Sequence, residues 1–362
     1  MPTASIDLSN DLLLAPSHDP TPIFDLARSS YATELLAVAV AHFNVFEVLW
    51  RGAMPFDALR EQLGLADRAA TVLVVALRAM GLIVPAQDGS GRLDLSPSAR
   101  EHLVPGGPFY IGEYLGLGAQ NAGVRELVQR LRTNRPAFDK ANETGASGTA
   151  YTFREGTESA MDHEASARRL TLALAGRAKN VAPLLARNYP LPDATRLLDA
   201  GGGTGIYSLA LLRANPGLRA VVWDRAEVLK VAREFAECAG LADRVDLVPG
   251  DMFADPLPIG CDVILLSNIL HDWDVPECRK LVGRCAAALP RGGRLLIHDV
   301  FLNDEMDGPL PIALYSAGLF AITEGRAYSA AEYRAFLTEA GLVPEAVVPT
   351  GVHCGVLAGR RQ

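Results

Sequence analysis

The chain reads as an α/β protein: a mostly helical N-terminal domain followed by an open, parallel, Rossmann-like sheet. Two observations predict this. Up to about residue 190 the apolar residues recur at helical spacing, with one short hairpin pattern. Beyond it, short apolar runs alternate with amphipathic helices, the signature of βα units. With 362 residues, nearly half of them apolar, there is material for two cores.

Residues 1–20 read as a flexible tail and 21–150 as the helical domain. The stretch from Pro22 to Trp50 includes "ATELLAVAVAHFNVFEVLW", a helix pattern apolar nearly all round. Such a helix has to be covered on every side. "PFDALREQLGL" and "RAATVLVVALRAMGLIV" give two further helices, and "VPAQDGSGRLDLS" gives a hairpin turning at Asp88–Gly91. Ser96 and Pro97 supply a cap and a first-turn proline for the next helix. Helix, helix, hairpin is the outline of a winged helix. The recognition-helix position carries only Arg68 and Arg78 and is otherwise apolar, which suits packing on a partner subunit better than DNA.

Residues 141–149, "ANETGASGT", form a Gly/Ser/Thr-rich break, and 151–190 read as a linking helix leading to Pro190. From 191 to 362 the strand runs are "TRLLDA", "RAVVWD", "RVDLVPGD", "CDVILLS" and "GRLLIHDVFL", with "GLVPEAVVPT" and "GVHCGVLAGR" closing the sheet. His298 and Asp299 alternate on the fifth run, so they face opposite ways. His298 is assigned to the interior, and His163 in "MDHEASARR" to the surface.

The net charge of −8 argues against nucleic acid and anionic membrane surfaces as partners, because both need clustered Lys and Arg. No window of 18 apolar residues could span a bilayer, and the start lacks a basic n-region. The five cysteines are odd in number and contain no CxxC. They read as reduced core thiols of a cytoplasmic protein, with no metal site.

The chemistry sits at the strand ends, where ligands bind in open α/β sheets. The first strand runs into "LLDAGGGTG", Leu197–Gly205, whose Asp199, Gly201, Gly202 and Gly203 form a turn that lets a ligand approach the backbone. The dinucleotide fingerprint would need glycine at 206, where Ile206 stands, which disfavours a nicotinamide cofactor. Asp224, about twenty residues on, is placed to accept from two ribose hydroxyls. In "PGDMF", Asp251 suits an adenine amino group, and Met252 or Phe253 could cover a ring face. The fourth strand ends in "SNILHDW", where Asp274 would cap the following helix.

Together "LLDAGGGTG", Asp224, "GDMF", "NILHDW", "PRGGRLLIHD" and "TEGRAYSAAEYRAFLTEAGL" resemble the S-adenosylmethionine-dependent O-methyltransferases related to caffeate and acetylserotonin O-methyltransferases. Many bacterial natural-product tailoring enzymes belong to this group, and the resemblance covers roughly residues 20–360. It implies a class I methyltransferase sheet and an N-terminal winged-helix domain that intertwines with a second subunit as a homodimer. It implies that Asp199, Gly201, Gly202, Gly203, Asp224, Arg225, Asp251, Met252, Ser267 and Asn268 hold S-adenosyl-L-methionine. It makes His271 the general base, with Asp299 as the first of two acidic partners, and a small aromatic or polyketide-like molecule the acceptor; Glu324, three positions before the family's second acid, is the candidate for the other. By family position Met161, Leu174, Tyr315, Leu319 and Phe320 would wall the acceptor pocket, the linking helix contributing part of it.

The chain departs from the family at three places. Asp299 stands where the family has a Glu, Ser267 where a Lys is common, and Ala327 where G-K/R-E-R-T has its Glu. These departures keep open a C-methyltransferase, or a member that does not transfer methyl.

Overall fold

The computed structural model describes residues 12–135, 161 and 163–362. The Gly/Ser/Thr-rich break at 141–149, the start of the linking segment at 151–160 and the first part of the expected tail lie outside the described residues. Leu12 and Leu13, however, are buried, so the chain is already packed from the end of that tail.

Two compact units emerge. One holds, of the described residues, 25–135 and 302–327; the other holds 12–24, 161, 163–301 and 328–362. Where the sequence reading assigned all of 191–362 to the sheet domain, residues 302–327 belong instead with the helices. The reason is composition. Segment "LPIALYSAGLFAI" is apolar all round, and it completes a helical core rather than covering a sheet face.

The helical unit begins with α1 (Thr21–Arg28), whose first residues fall in the other unit, followed by α2 (Ala32–Ala41), α3 (Val45–Trp50), α4 (Phe56–Leu63) and α5 (Asp67–Ala79). β1 (Ile83–Pro85) and β2 (Leu93–Leu95) pair antiparallel, with Ile83 opposite Leu95. Their turn is pinned by Asp88, which accepts from the Ser90 amide and the Arg92 guanidinium. Then come α6 (Pro97–His102), capped by Ser96 accepting from the Ala99 amide, α7 (Gly112–Leu115) and α8 (Ala122–Thr133). Leu35, Val38, Phe46, Leu73, Leu77 and Leu127 form the core, joined by Leu314, Ala317 and Phe320 of the 302–327 segment. Arg68 is buried, donates to Asn134 and to the Thr323 carbonyl, and lies over the Phe320 ring. It is therefore a structural clamp inside this unit and offers nothing to a phosphate backbone.

The sheet unit opens with α9 (Glu164–Asn188), then β3 (Arg196–Ala200), α10 (Ile206–Ala214), β4 (Arg219–Asp224), α11 (Ala226–Cys238), β5 (Val245–Pro249), β6 (Val263–Ser267), α12 (Val275–Ala288) and β7 (Arg294–Leu302). α13 (Leu310–Ile322) is the helix contributed to the other unit. β8 (Tyr328–Ser329), α14 (Ala330–Glu339), β9 (Leu342–Pro344), β10 (Val348–Gly351) and β11 (Cys354–Arg361) close the chain.

The sheet order is β10-β11-β7-β6-β3-β4-β5, with β3 to β7 mutually parallel and β11 antiparallel to β7. β6 is buried at every position because helices cover both faces, which is why it reads as an unbroken apolar run. Strand order reverses between β3 and β6, so their carboxyl ends flank a crevice at a topological switch point. Among the described residues no helix is long and apolar enough to cross a membrane. The cysteines are free, and four are buried as expected; Cys238, at the end of α11, is exposed instead.

Candidate active site

The glycine turn leaves β3 with Gly201 and Gly203 at positive φ, 71° and 58°, a region that favours glycine. A Cβ on Gly201 would lie 2.5 Å from the Ile269 side chain, whereas one on Gly203 would meet nothing within 4 Å. The turn is therefore tightly backed at Gly201 and open at Gly203, as a backbone that receives a ligand should be. A Cβ on Gly202 would strike Asp199 at 2.8 Å. Asp199 is buried, accepts from the Ser208 hydroxyl at 2.7 Å, and burial pushes its pKa up to about 7.

Asp224, at the end of β4, accepts from the Gly203 amide at 2.8 Å and from the Arg225 amide at 2.7 Å. Burial raises its pKa. Each carboxylate oxygen retains a lone pair that two ribose hydroxyls could fill. Asp251 is more occupied than expected. It accepts from the Phe253 and Ala254 amides and pairs with Arg225 at 3.0 Å. Met252 reaches back to the glycine turn, near Gly201. Phe253 instead stands edge-on to Trp273, with centroids 4.6 Å apart.

At the end of β6, Asn268 takes a left-handed conformation, φ 57°. Its Nδ2 donates to Ser267 Oγ at 3.0 Å, and its Oδ1 is buried with no partner. An orphaned acceptor here and the open face of Gly203 both fit a bound nucleoside with an amino-acid arm. His298 is wholly buried between Ser267 Oγ at 2.8 Å and Thr350 Oγ1 at 2.9 Å. Burial lowers its pKa to about 4, so it is a neutral interior residue.

His271 lies on the short turn after β6 and is itself buried. Its Nδ1 is 2.6 Å from Asp299 Oδ1, and its Nε2 is 3.6 Å from Asp272 Oδ1. Burial pulls the imidazole pKa down, but Asp299 and Asp272 outweigh it, so the pKa lies above its ordinary value. For Asp299, burial pushes up and His271 pulls down, and the net shift is downward. An ionised carboxylate only accepts, so Nδ1 carries a proton toward Asp299, and in the neutral ring Nε2 is the accepting nitrogen. β6 and β7 pair with Ser267 opposite His298, which brings the turn beside Asp299.

Three groups near this dyad escaped the sequence reading. Tyr333 on α14 donates to Asp299 Oδ2 at 3.1 Å. Asp272 faces the second ring nitrogen. Arg177 on α9 acts electrostatically on His271, Asp272 and Asp299. Asp272 was in plain view, adjacent to the histidine. Tyr333 and Arg177 sit in helices whose apolar periodicity reads only as packing.

Of the remaining expected site residues, Leu174 is exposed on α9 and Met161 half-buried, both in the sheet unit. Tyr315, Leu319, Phe320 and Glu324 belong to the helical unit. There Leu319 and Phe320 are buried, Arg28 lies over the Tyr315 ring, and Glu324 is half-buried. Ala327 is fully buried, its amide donating to Ser316 Oγ. His163 is exposed, as expected.

Fold and site together define a methyltransferase built on the class I sheet. A family model described as an O-methyltransferase domain matches residues 126–343. The 3-hydroxy-5-methyl-1-naphthoate 3-O-methyltransferase of Streptomyces sahachiroi is 34% identical over 324 residues, 89% of each chain. Acetylserotonin O-methyltransferase of Bos taurus is 29% identical over 311 residues, 84% of this chain and 87% of that one. Among solved structures, an O-methyltransferase family 2 protein from Planctomyces limnophilus, in complex with apigenin, has 45% identity and a TM-score of 0.86. That match covers 98% of this chain and 99% of the other. The chain belongs to the O-methyltransferase family. It is an S-adenosylmethionine-dependent methyltransferase acting on a small-molecule acceptor.

Proposed function

We propose that the chain methylates a phenolic hydroxyl on a planar aromatic or polyketide-like acceptor, with His271 as general base and Asp299 as its orienting partner. The observation that carries this reading is the 2.6 Å pair between His271 Nδ1, on the turn after β6, and Asp299 Oδ1, on the adjacent parallel strand β7.

When bound, S-adenosyl-L-methionine would supply an electrophilic methyl group on a sulfonium, a leaving group that needs no proton from the protein. Gly201, Gly202 and Gly203 would present backbone to it, Asp224 and Arg225 would hold its ribose, Asp251 and Met252 its adenine, and Asp199, Ser267 and Asn268 its amino-acid arm. The protein then has to align the acceptor oxygen and remove its proton. A phenol near pKa ~10 is almost wholly protonated at neutral pH. Nε2 of His271 takes that proton as the O–C bond forms, a contribution typically worth about 10²–10⁴ in rate. The imidazolium so produced sits between Asp299 and Asp272, which stabilise its charge.

The acceptor class rests on two likenesses: the naphthoate enzyme's name and the flavone held by the Planctomyces protein both describe hydroxyls on fused planar rings. Met161, Leu174, Tyr315, Leu319 and Phe320 are proposed as pocket walls, with Glu324 as a second acid. The winged-helix-like part is proposed to form a homodimer. Trp50, Phe109, Ile111, Tyr114 and Leu117 leave large apolar side chains exposed on the helical unit, which supports that reading. Free thiols support a cytoplasmic location.

His271→Ala tests the central reading. Turnover should fall at least a hundredfold while donor affinity by calorimetry stays near wild type. Full activity in that variant would rule out the base. A panel of hydroxynaphthoates and flavones, with products read by NMR, tests the acceptor; a methyl found on carbon would overturn oxygen transfer. Light scattering on the purified chain tests the dimer.

A further inference from the structure

Asp299 is a buried carboxylate with both oxygens engaged. Oδ1 meets His271 Nδ1 and accepts from the Val300 amide at 2.8 Å, and Oδ2 accepts from Tyr333 at 3.1 Å. Tyr333 is itself wholly buried, in an aromatic group with Tyr328, Phe336 and Phe301, at centroid distances of 5.4, 6.1 and 5.7 Å. Phenylalanine would pack this group as well. Only the hydroxyl requires tyrosine, and its partner is the charged group that holds the imidazole. Tyr328, from the same short segment, donates to the Trp273 carbonyl at 2.6 Å, two residues past His271. Of the two tyrosines only Tyr333 reaches the dyad itself; Tyr328 binds a carbonyl beyond the turn.

We propose that Tyr333 is a positioning residue: by donating to Asp299 Oδ2 it fixes the rotation of that carboxylate, so that Oδ1 faces His271 Nδ1 and Nε2 stays the accepting nitrogen. This rests on the reading of His271 as the base. A carboxylate turns easily about its Cβ–Cγ bond, and since its two oxygens are equivalent it is the plane of the group that decides how squarely an oxygen meets the imidazole N–H. The Val300 N–H on Oδ1 and the Tyr333 O–H on Oδ2 hold that plane. Groups that orient the partner of a catalytic imidazole act through its tautomer and its basicity.

The hydroxyl also draws charge from the carboxylate, which moderates its pull on the imidazole. The other charged or titratable groups facing the dyad are Asp272 on the turn, Arg177 on α9 and His298 on β7. Cys278 and Tyr328 face Tyr333.

The test is Tyr333→Phe in the full-length chain, followed by NMR titration of labelled histidine, with the His271 signal assigned by its loss in His271→Ala. The His271 titration should move to higher pH by about half a unit or more, because the carboxylate loses a donor. At pH 7 kcat should fall by about threefold for a half-unit shift, with both KM values within about twofold, and the loss should shrink as pH rises. Tyr328→Phe, which alters the same aromatic group, should leave the titration in place. If Tyr333→Phe does not fold, 3-fluorotyrosine at position 333 keeps the ring; its more acidic phenol should move the titration to lower pH. A His271 titration unmoved by either change, or moved the same way by both, overturns the proposal. The NMR readout does not depend on turnover. A moved titration beside full activity in His271→Ala would therefore sink the base reading and leave the coupling standing.

Discussion

His271 Nδ1 and Asp299 Oδ1 lie 2.6 Å apart, on the turn after one strand and on the strand beside it. This pair fixes which imidazole nitrogen can accept a proton. Asp299→Asn would present an amide that can donate to the ring and favour the wrong tautomer. We expect kcat to fall about 10²–10⁴-fold in that variant with donor affinity unchanged, read by steady-state kinetics beside calorimetry.

Activity should depend on pH through the same pair. The His271 pKa is raised above its ordinary value of 6.5, so the accepting form grows only above that pH. A kcat profile should show an ascending limb with its midpoint above about 6.5. The sign for stability is opposite. A histidine raised in the folded state stabilises fully below its unfolded pKa and loses that contribution as pH climbs through the folded value. A flat profile from pH 6 to 9 would count against His271 as base.

Asp199 gives a second pH signature. Burial raises its pKa to about 7, so the folded protein keeps a proton there that the unfolded chain has already shed. Stability should therefore decline as pH rises from about 4 to about 7, by at most on the order of 4 kcal/mol. Asp199→Asn should melt higher than wild type at pH 8 and equally at pH 4, as calorimetry would show. The asparagine oxygen still accepts from Ser208.

The glycines should separate fold from binding. Gly201→Ala sets a methyl 2.5 Å from Ile269 and should lower Tm by several degrees, with partial recovery on adding Ile269→Val. Gly203→Ala meets no protein atom within 4 Å. It should cost only the left-handed strain, about 1 kcal/mol, while weakening donor binding more than tenfold.

Asp224→Ala should weaken donor binding by roughly ten- to a hundredfold, as expected for the loss of charge-assisted hydrogen bonds. It also frees the Gly203 amide, which the carboxylate holds at 2.8 Å. Asp224→Asn keeps an acceptor for that amide and should lose less, measured on the same calorimetric scale.

Much of this site was legible because each strand's end announces itself. Apolar runs stop at Gly201, Asp224, Asp251 and His271, and a parallel sheet brings those ends to one edge. The alternation of His298 and Asp299 told which faces the dyad. Tyr333 was not legible, since an aromatic at helical spacing reads as core and only the folded register shows its hydroxyl meeting a carboxylate. The allegiance of residues 302–327 was hidden for a similar reason. A helix apolar on all sides says that it must be covered, not by which core. Leu12 and Leu13 fell in a short run, Leu12 to Ala15, with polar residues on both sides and too brief to give a periodic signal.

Because Leu314, Ala317 and Phe320 complete a core otherwise built from residues 35–131, the polypeptide visits its helical half twice. A gene cut near codon 190 would strip that half of the piece that fills it and leave α13 stranded on the other fragment. Chimeras that exchange the helical unit between relatives will need to swap two segments rather than one. The second lies between β7 and β8.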